Sequence, residues 1–257
     1  MIHQAITYLK WLPKTFHLHG IHSPFVFTLS KECLKNAKKN RHTTQLKQYR
    51  DRLLNTPRSI EVTDFGAGSR VFKSNTRAIS AIAKHAGATL KRMQLLQRFV
   101  SHVQPEQILE IGTSLGMATF AMAKGDSNSK ITSLEGCPNT LEVARETLDH
   151  FNIEHIELVE GRFRERIKTL NSHKLDLIYF DGNHSKEATL EYVQMLLPTA
   201  INGTVWIFDD IHWSPEMTQA WETIKILPEI SVTIDCFHLG FAFFRNEQVK
   251  EDFYIRL

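Results

Sequence analysis

The stretch QILEIGTSLGMATF, residues 107–120, decides how the rest of the chain is read. A β-rich run (QILEI) passes through Gly112 and Gly116 into an apolar helical run. Strand, glycine turn and helix form the unit on which nucleoside cofactors sit, because glycine lets backbone N–H groups approach a ligand at a helix start. The unit needs an acidic residue at the end of the following strand, roughly 20 residues on, to take the ribose hydroxyls. Glu135, which ends KITSLE, fills that requirement. An earlier stretch, SIEVTDFGAGSR at residues 59–70, also carries glycines, Gly66 and Gly68, but no acidic residue occurs between Asp64 and Glu106. The expected nucleoside loop is therefore Gly112, Thr113, Ser114 and Gly116, with Glu135 as ribose anchor.

Outward from that unit the pattern alternates. β-rich runs fall at 107–111, 130–134, 155–159, 175–180 and 204–208, with helical stretches at 115–124, 138–150, 162–170 and 185–197 between them. The run LDLIYF has almost no polar alternation, as a strand covered on both faces requires. Strand and helix in alternation imply a parallel sheet with right-handed crossovers. After a helix at about 215–227, the runs 231–235 and 239–245 read as a hairpin that reverses one strand. The fold expected is α/β: a Rossmann-like, mostly parallel seven-stranded sheet with a terminal antiparallel hairpin strand.

Residues 1–100 read as a helical N-terminal appendage. Ser23 is placed as an N-cap with Pro24 at the first helical position. TRAISAIAKHAG and LKRMQLLQRFVSHV are apolar at helical spacing, with Gly87 as a stop between them. The charge changes here too. Residues 1–100 hold 18 Lys and Arg against 4 Asp and Glu, and residues 101–257 hold 13 against 24. Two domains are expected, 1–100 and 101–257. The imbalance fits packing of basic on acidic segments, within the chain or across a homodimer, and it also fits an anionic partner or substrate. Cys33, Cys137 and Cys236 are far apart with no CxxC pair, which points to a reducing, cytoplasmic setting. No run reaches the roughly 18 apolar residues of a membrane span.

A dinucleotide site favours glycine where this loop has Ser114. Glu110, two residues before Gly112, would repel a pyrophosphate but suits the ammonium of an amino-acid tail. Both features fit S-adenosylmethionine (SAM). The stretches ILEIGTSLGMAT, ITSLEGCPNTLEVARETL, VEGRFRE, LDLIYFDGNHS and GTVWIFDDIHW follow one another as in a known family. From about residue 90 to 245 the chain resembles class I SAM-dependent methyltransferases, above all the catechol/caffeoyl-CoA-type O-methyltransferases and their bacterial relatives. The resemblance implies that Glu110, Gly112 and Ser114 line the methionine part of SAM and that Glu135 binds the ribose diol. It also implies that Gly161 and Arg162 flank the adenine and that Asp181 sits beside the transferring methyl.

The same resemblance implies O-methylation of a small hydroxylated acceptor. It implies a Mg2+-like ion on Asp181, Asp209 and Asp210, the last standing where the family has asparagine. His184 occupies the position of the family's lysine base, and an imidazole can serve as base near neutral pH. His212 and Trp213 are weaker candidates near the same turn. His17, His19 and His22 match no zinc spacing. An RNA methyltransferase gripping phosphates with the basic segment is a rival reading, as is an NAD-dependent oxidoreductase, which lacks a Tyr-x-x-x-Lys pair. The loop at 64–70 is expected over the acceptor pocket as a lid, with Arg70 or Lys73 near an anionic group; simple packing on a flank is the alternative.

Overall fold

The 107–120 stretch folds as its periodicity requires in the computed structural model, which describes residues 2–37, 41–65, 72–170 and 174–257. In chain order the helices begin with α1 (Ile2–Trp11), α2 (Pro24–Leu29) and α3 (Thr43–Leu54). The strands β1 (Ser59–Glu61) and β2 (Thr76–Ala78) follow, then α4 (Ile79–His85) and α5 (Leu90–Val103). The alternating part is β3 (Gln107–Ile111), α6 (Met117–Ala123), β4 (Lys130–Glu135), α7 (Pro138–His150), β5 (Ile156–Glu160) and α8 (Phe163–Leu170). It continues with β6 (Leu177–Phe180), α9 (Lys186–Leu196), β7 (Val205–Asp209) and α10 (Pro215–Lys225), and ends with β8 (Val232–Asp235), β9 (Leu239–Phe243) and β10 (Glu251–Tyr254).

The chain divides into two compact units, residues 36–166 and residues 1–35 with 167–257. The boundary expected at residue 100 falls inside the first of these. Packing explains why. α5 buries Met93, Leu96, Phe99 and Val100 and lies against α6. Every residue of α6 is buried in turn. Tyr49 of α3 stacks on Phe120 of α6, with centroids 4.4 Å apart, and its hydroxyl donates to the carbonyl of Leu115 at 2.9 Å. The apolar faces of the basic segment thus cover the β3–α6 unit, and apolar burial outweighs the charge boundary. Charge contributes locally: Arg58 makes a bidentate pair with Glu146, at 3.0 and 2.7 Å, on an exposed surface.

Within residues 36–166, β3, β4 and β5 are parallel, with Ile111 opposite Leu134 and Glu135 opposite Glu160. This register brings the ends of the three strands level. Tyr49→Phe keeps the stack and removes one buried hydrogen bond. It is expected to cost about 1 kcal/mol, read as a lower urea midpoint at unchanged slope; an unchanged midpoint would mean that the bond contributes nothing.

In the other unit the strand order is β10-β8-β9-β7-β6. β6 and β7 are parallel, and β9 runs antiparallel to both β7 and β8. The α/β class, the mostly parallel strands and the reversed strand therefore stand as expected. β10 adds one strand beyond the expected seven, pairing parallel with β8. α1 is tied down by Trp11, whose indole N–H donates to buried Asp235 at 2.7 Å. Ser23 caps α2 as expected, its Oγ accepting from the Val26 N–H. No helix among the described residues is long and apolar enough to cross a membrane.

Candidate functional site

The loop after β3 is built from left-handed backbone. Gly112 has φ 104°, Ser114 φ 49° and Gly116 φ 74°. Gly116 could carry no side chain, since a Cβ would lie 2.6 Å from the Tyr49 hydroxyl oxygen. Ser114 holds a left-handed conformation that L side chains rarely adopt, which marks a position fixed by its surroundings. One such fixture is Glu135. Its Oε2 accepts from the Ser114 N–H at 2.7 Å and its Oε1 from the Cys137 N–H at 2.9 Å. The next strand end joins the same place, because the Gly161 N–H donates to the Glu135 carbonyl at 2.9 Å. Gly112, Thr113, Ser114, Gly116, Glu135 and Gly161 are thus brought together at the ends of β3, β4 and β5, and Arg162 follows as an exposed side chain.

Glu110 lies within β3. Its side chain is fully buried. Oε2 accepts from Thr119 and from Ser133, each at 2.5 Å, and Thr113 Oγ1 lies 2.6 Å from Ser133 Oγ. Four consecutive residues of β3 are buried, so a carboxylate there faces protein rather than a ligand. Burial pushes its pKa up to about 8, against the hydrogen bonds from Ser133 and Thr119 that favour the charge. Glu110 braces the loop from beneath. Glu135 is also raised by burial, opposed by its backbone hydrogen bonds.

The first glycine stretch begins at a two-stranded ribbon. β1 pairs antiparallel with β2, Ser59 opposite Ala78. Gly66, Gly68 and Arg70 lie outside the described residues, and with them most of the expected lid. The residues before them sit against the start of α7. Asn139 Nδ2 donates to the Glu61 carbonyl at 2.7 Å, and Phe65 lies on Gly136. Tyr49 and Phe65 are the residues near this site that sequence reasoning missed. The only hint was Gly136, a glycine directly after the anchor carboxylate.

The residues expected on the acceptor side lie in the other unit. Asp181 follows β6, and Asp209 and Asp210 end β7. Tyr179 joins two of them: its hydroxyl donates to Asp209 Oδ2 at 2.8 Å and lies 3.3 Å from Asp181 Oδ2. Asp209 is buried, and its Oδ1 accepts from the Asp210 N–H at 2.7 Å. Asp210 has φ 50°. His184 Nε2 lies 3.5 Å from Asp181 Oδ1, and both side chains are partly exposed, at 31% and 23%. This is an imidazole with a carboxylate behind it and one ring nitrogen left over. His212 serves packing instead: it is buried, with Nε2 2.9 Å from Asp235 Oδ2. Among the described residues no group of three or more His, Cys, Asp or Glu is disposed to hold a metal ion. Asp209 thus accepts one hydrogen bond on each oxygen and keeps a lone pair on each. The histidines at 17, 19 and 22 form no such group either.

Level parallel strand ends, a left-handed glycine loop and a strand-end carboxylate define the fold of class I methyltransferases. Residues 109–211 match the family described as "Methyltransferase domain". The catechol O-methyltransferase of Mycobacterium tuberculosis is 31% identical over 111 residues, covering 42% of this chain and 50% of that protein. The O-methyltransferase ankF of Aspergillus thermomutatus is 28% identical over 125 residues, covering 46% of this chain and 52% of that protein. The chain thus matches about half the length of these curated relatives. The SAH-bound Podospora anserina methyltransferase PaMTH1 superposes with a TM-score of 0.63 over 88% of this chain and 97% of that one, at 17% identity. At that identity the likeness establishes the fold.

Proposed function

We propose that the protein is an S-adenosylmethionine-dependent methyltransferase that methylates a hydroxyl of a small acceptor. The observation that carries this is the Glu135 carboxylate bonded to the Ser114 N–H across the glycine loop. The N–H groups of Ser114, Gly136 and Cys137 turn donors towards the Glu135 carboxylate, and in this reading the ribose hydroxyls join them as donors. The backbone of Gly112, Thr113, Ser114 and Gly116 would line the methionine part, and Gly161 and Arg162 the adenine side. When bound, the cofactor supplies an electrophilic methyl on a sulfonium, transferred in line to the acceptor oxygen. Asp181 would hold the Nε2 proton of His184 towards itself, leaving Nδ1 to take the acceptor's proton. No step here runs through a metal; a divalent cation, if bound, would be held by Asp181, Asp209 and Asp210 and would favour loss of the acceptor's proton.

The O-methyltransferase relatives support an oxygen acceptor. The basic residues before position 100 favour one with an anionic group, and a homodimer is compatible with them. Cys33, Cys137 and Cys236 are free and buried, which supports a cytoplasmic setting. The test is titration with S-adenosylhomocysteine (SAH). Glu135→Ala should weaken binding about tenfold or more, since two charge-assisted bonds are lost. Glu135→Gln, which keeps an acceptor for Ser114, separates that loss from collapse of the loop. Wild-type protein that binds NAD but not SAH would overturn the reading.

A further inference from the structure

We infer that Phe65 is a cofactor-contacting residue: its ring forms one wall of the subsite for the purine base, so that the strand-and-loop segment before residue 66 completes the nucleoside site. This rests on the SAM reading above.

Phe65 is 48% exposed, which is unusual for so large an apolar side chain in this protein. The ring is nevertheless held in place. It lies so close to Gly136 that a Cβ there would meet Phe65 Cδ2 at 2.7 Å and Cε2 at 3.2 Å. Gly136 is not among the residues with left-handed φ. Its missing side chain is therefore explained by room for the ring and not by backbone conformation. The Arg162 guanidinium stands 5.5 Å from the ring centroid, a cation–π distance.

The backbone behind the ring is fixed as well. Asn139 Nδ2 donates to the Glu61 carbonyl, the Thr63 N–H donates to Cys137 Sγ at 3.4 Å, and Asp64 pairs with Arg77 at 3.4 Å. The first two contacts pin the segment to residues 137 and 139, just after Glu135, and the third ties it to β2. A flat apolar ring is thus held one residue from the ribose carboxylate and beside the Gly161–Arg162 turn, with about half its surface open. Leaving that surface in water forgoes apolar burial. A purine whose ribose is bound at Glu135 would cover it. Base-on-aromatic stacking is sequence-tolerant and strong enough to matter. The ligand class is a purine nucleoside with no phosphate required.

The experiment is calorimetric titration of the full chain with SAH and, separately, with adenosine. Phe65→Ala should weaken both about tenfold, because the lost contact is to the base. Phe65→Trp should stay within about threefold of wild type. Gly136→Ala, whose methyl would displace the ring, should resemble Phe65→Ala. If Phe65→Ala lowers the ligand-free unfolding midpoint, Phe65→Leu replaces it, keeping apolar bulk without a flat face, with a loss of threefold or more expected. Unchanged SAH affinity in these variants, or a loss for SAH without one for adenosine, would overturn the inference. Failure of wild-type protein to bind SAH would instead overturn the methyltransferase reading beneath it.

Discussion

Replacing His184 by glutamine is expected to lower kcat by roughly a hundredfold or more, the usual contribution of a positioned general base, while SAH affinity changes by less than about twofold. The expectation comes from placement. His184 lies on the turn between β6 and α9, where Asn183 is left-handed at φ 63° and Ser185 caps the helix by accepting from the Ala188 N–H. Two fixed residues thus hold the imidazole near Asp181. At 3.5 Å the His184–Asp181 contact is longer than a good hydrogen bond, and such contacts are often loose until substrate binds. Asp181→Asn should act through His184 and cost less than His184→Gln. The companion measurement is transfer to a panel of hydroxylated acceptors in excess chelator. Full activity there agrees with an imidazole base. Abolished activity, together with an active His184→Gln enzyme, would give the role to a cation on Asp181, Asp209 and Asp210.

Glu110→Gln is expected to remove a large pH dependence of stability. The carboxyl titrates near 4.5 when unfolded and at about 8 when buried in the fold. Above the lower value the unfolded chain releases a proton that the folded chain keeps. Stability from this group is therefore fully present below about pH 4.5 and is lost as pH rises towards 8, by about 1.4 kcal/mol per unit. The whole swing is on the order of 4–5 kcal/mol. A glutamine keeps an oxygen for Thr119 and Ser133 and carries no titrating proton. Urea unfolding at pH 5, 7 and 9 should show the variant gaining on wild type as pH rises. Parallel pH curves for the two proteins would refute the buried-acid account.

The β3–α6–β4 unit and its anchor were legible because period, glycine and acid sit within one short window. The Ser23–Pro24 cap was legible for the same reason. For Glu110 the sequence reading weighed its chemistry alone; its burial follows from an apolar strand covered on both faces. β10 left little trace: four residues, two of them acidic, show no alternation. Tyr49 and Phe65 had no local signal at all, because their partners Leu115 and Gly136 lie 66 and 71 residues further along. The charge break near residue 100 was real as composition. It did not divide the fold, because α5 is placed by its apolar face.

The bond from Trp11 to Asp235 spans 224 positions of the chain. On the ribosome, α1 must wait for that carboxylate to be made. At 5–20 residues per second the wait is roughly 10–45 s, whereas residues 36–166 form a compact unit that is contiguous in the chain. Helix α1 is thus among the last elements to find its native contact.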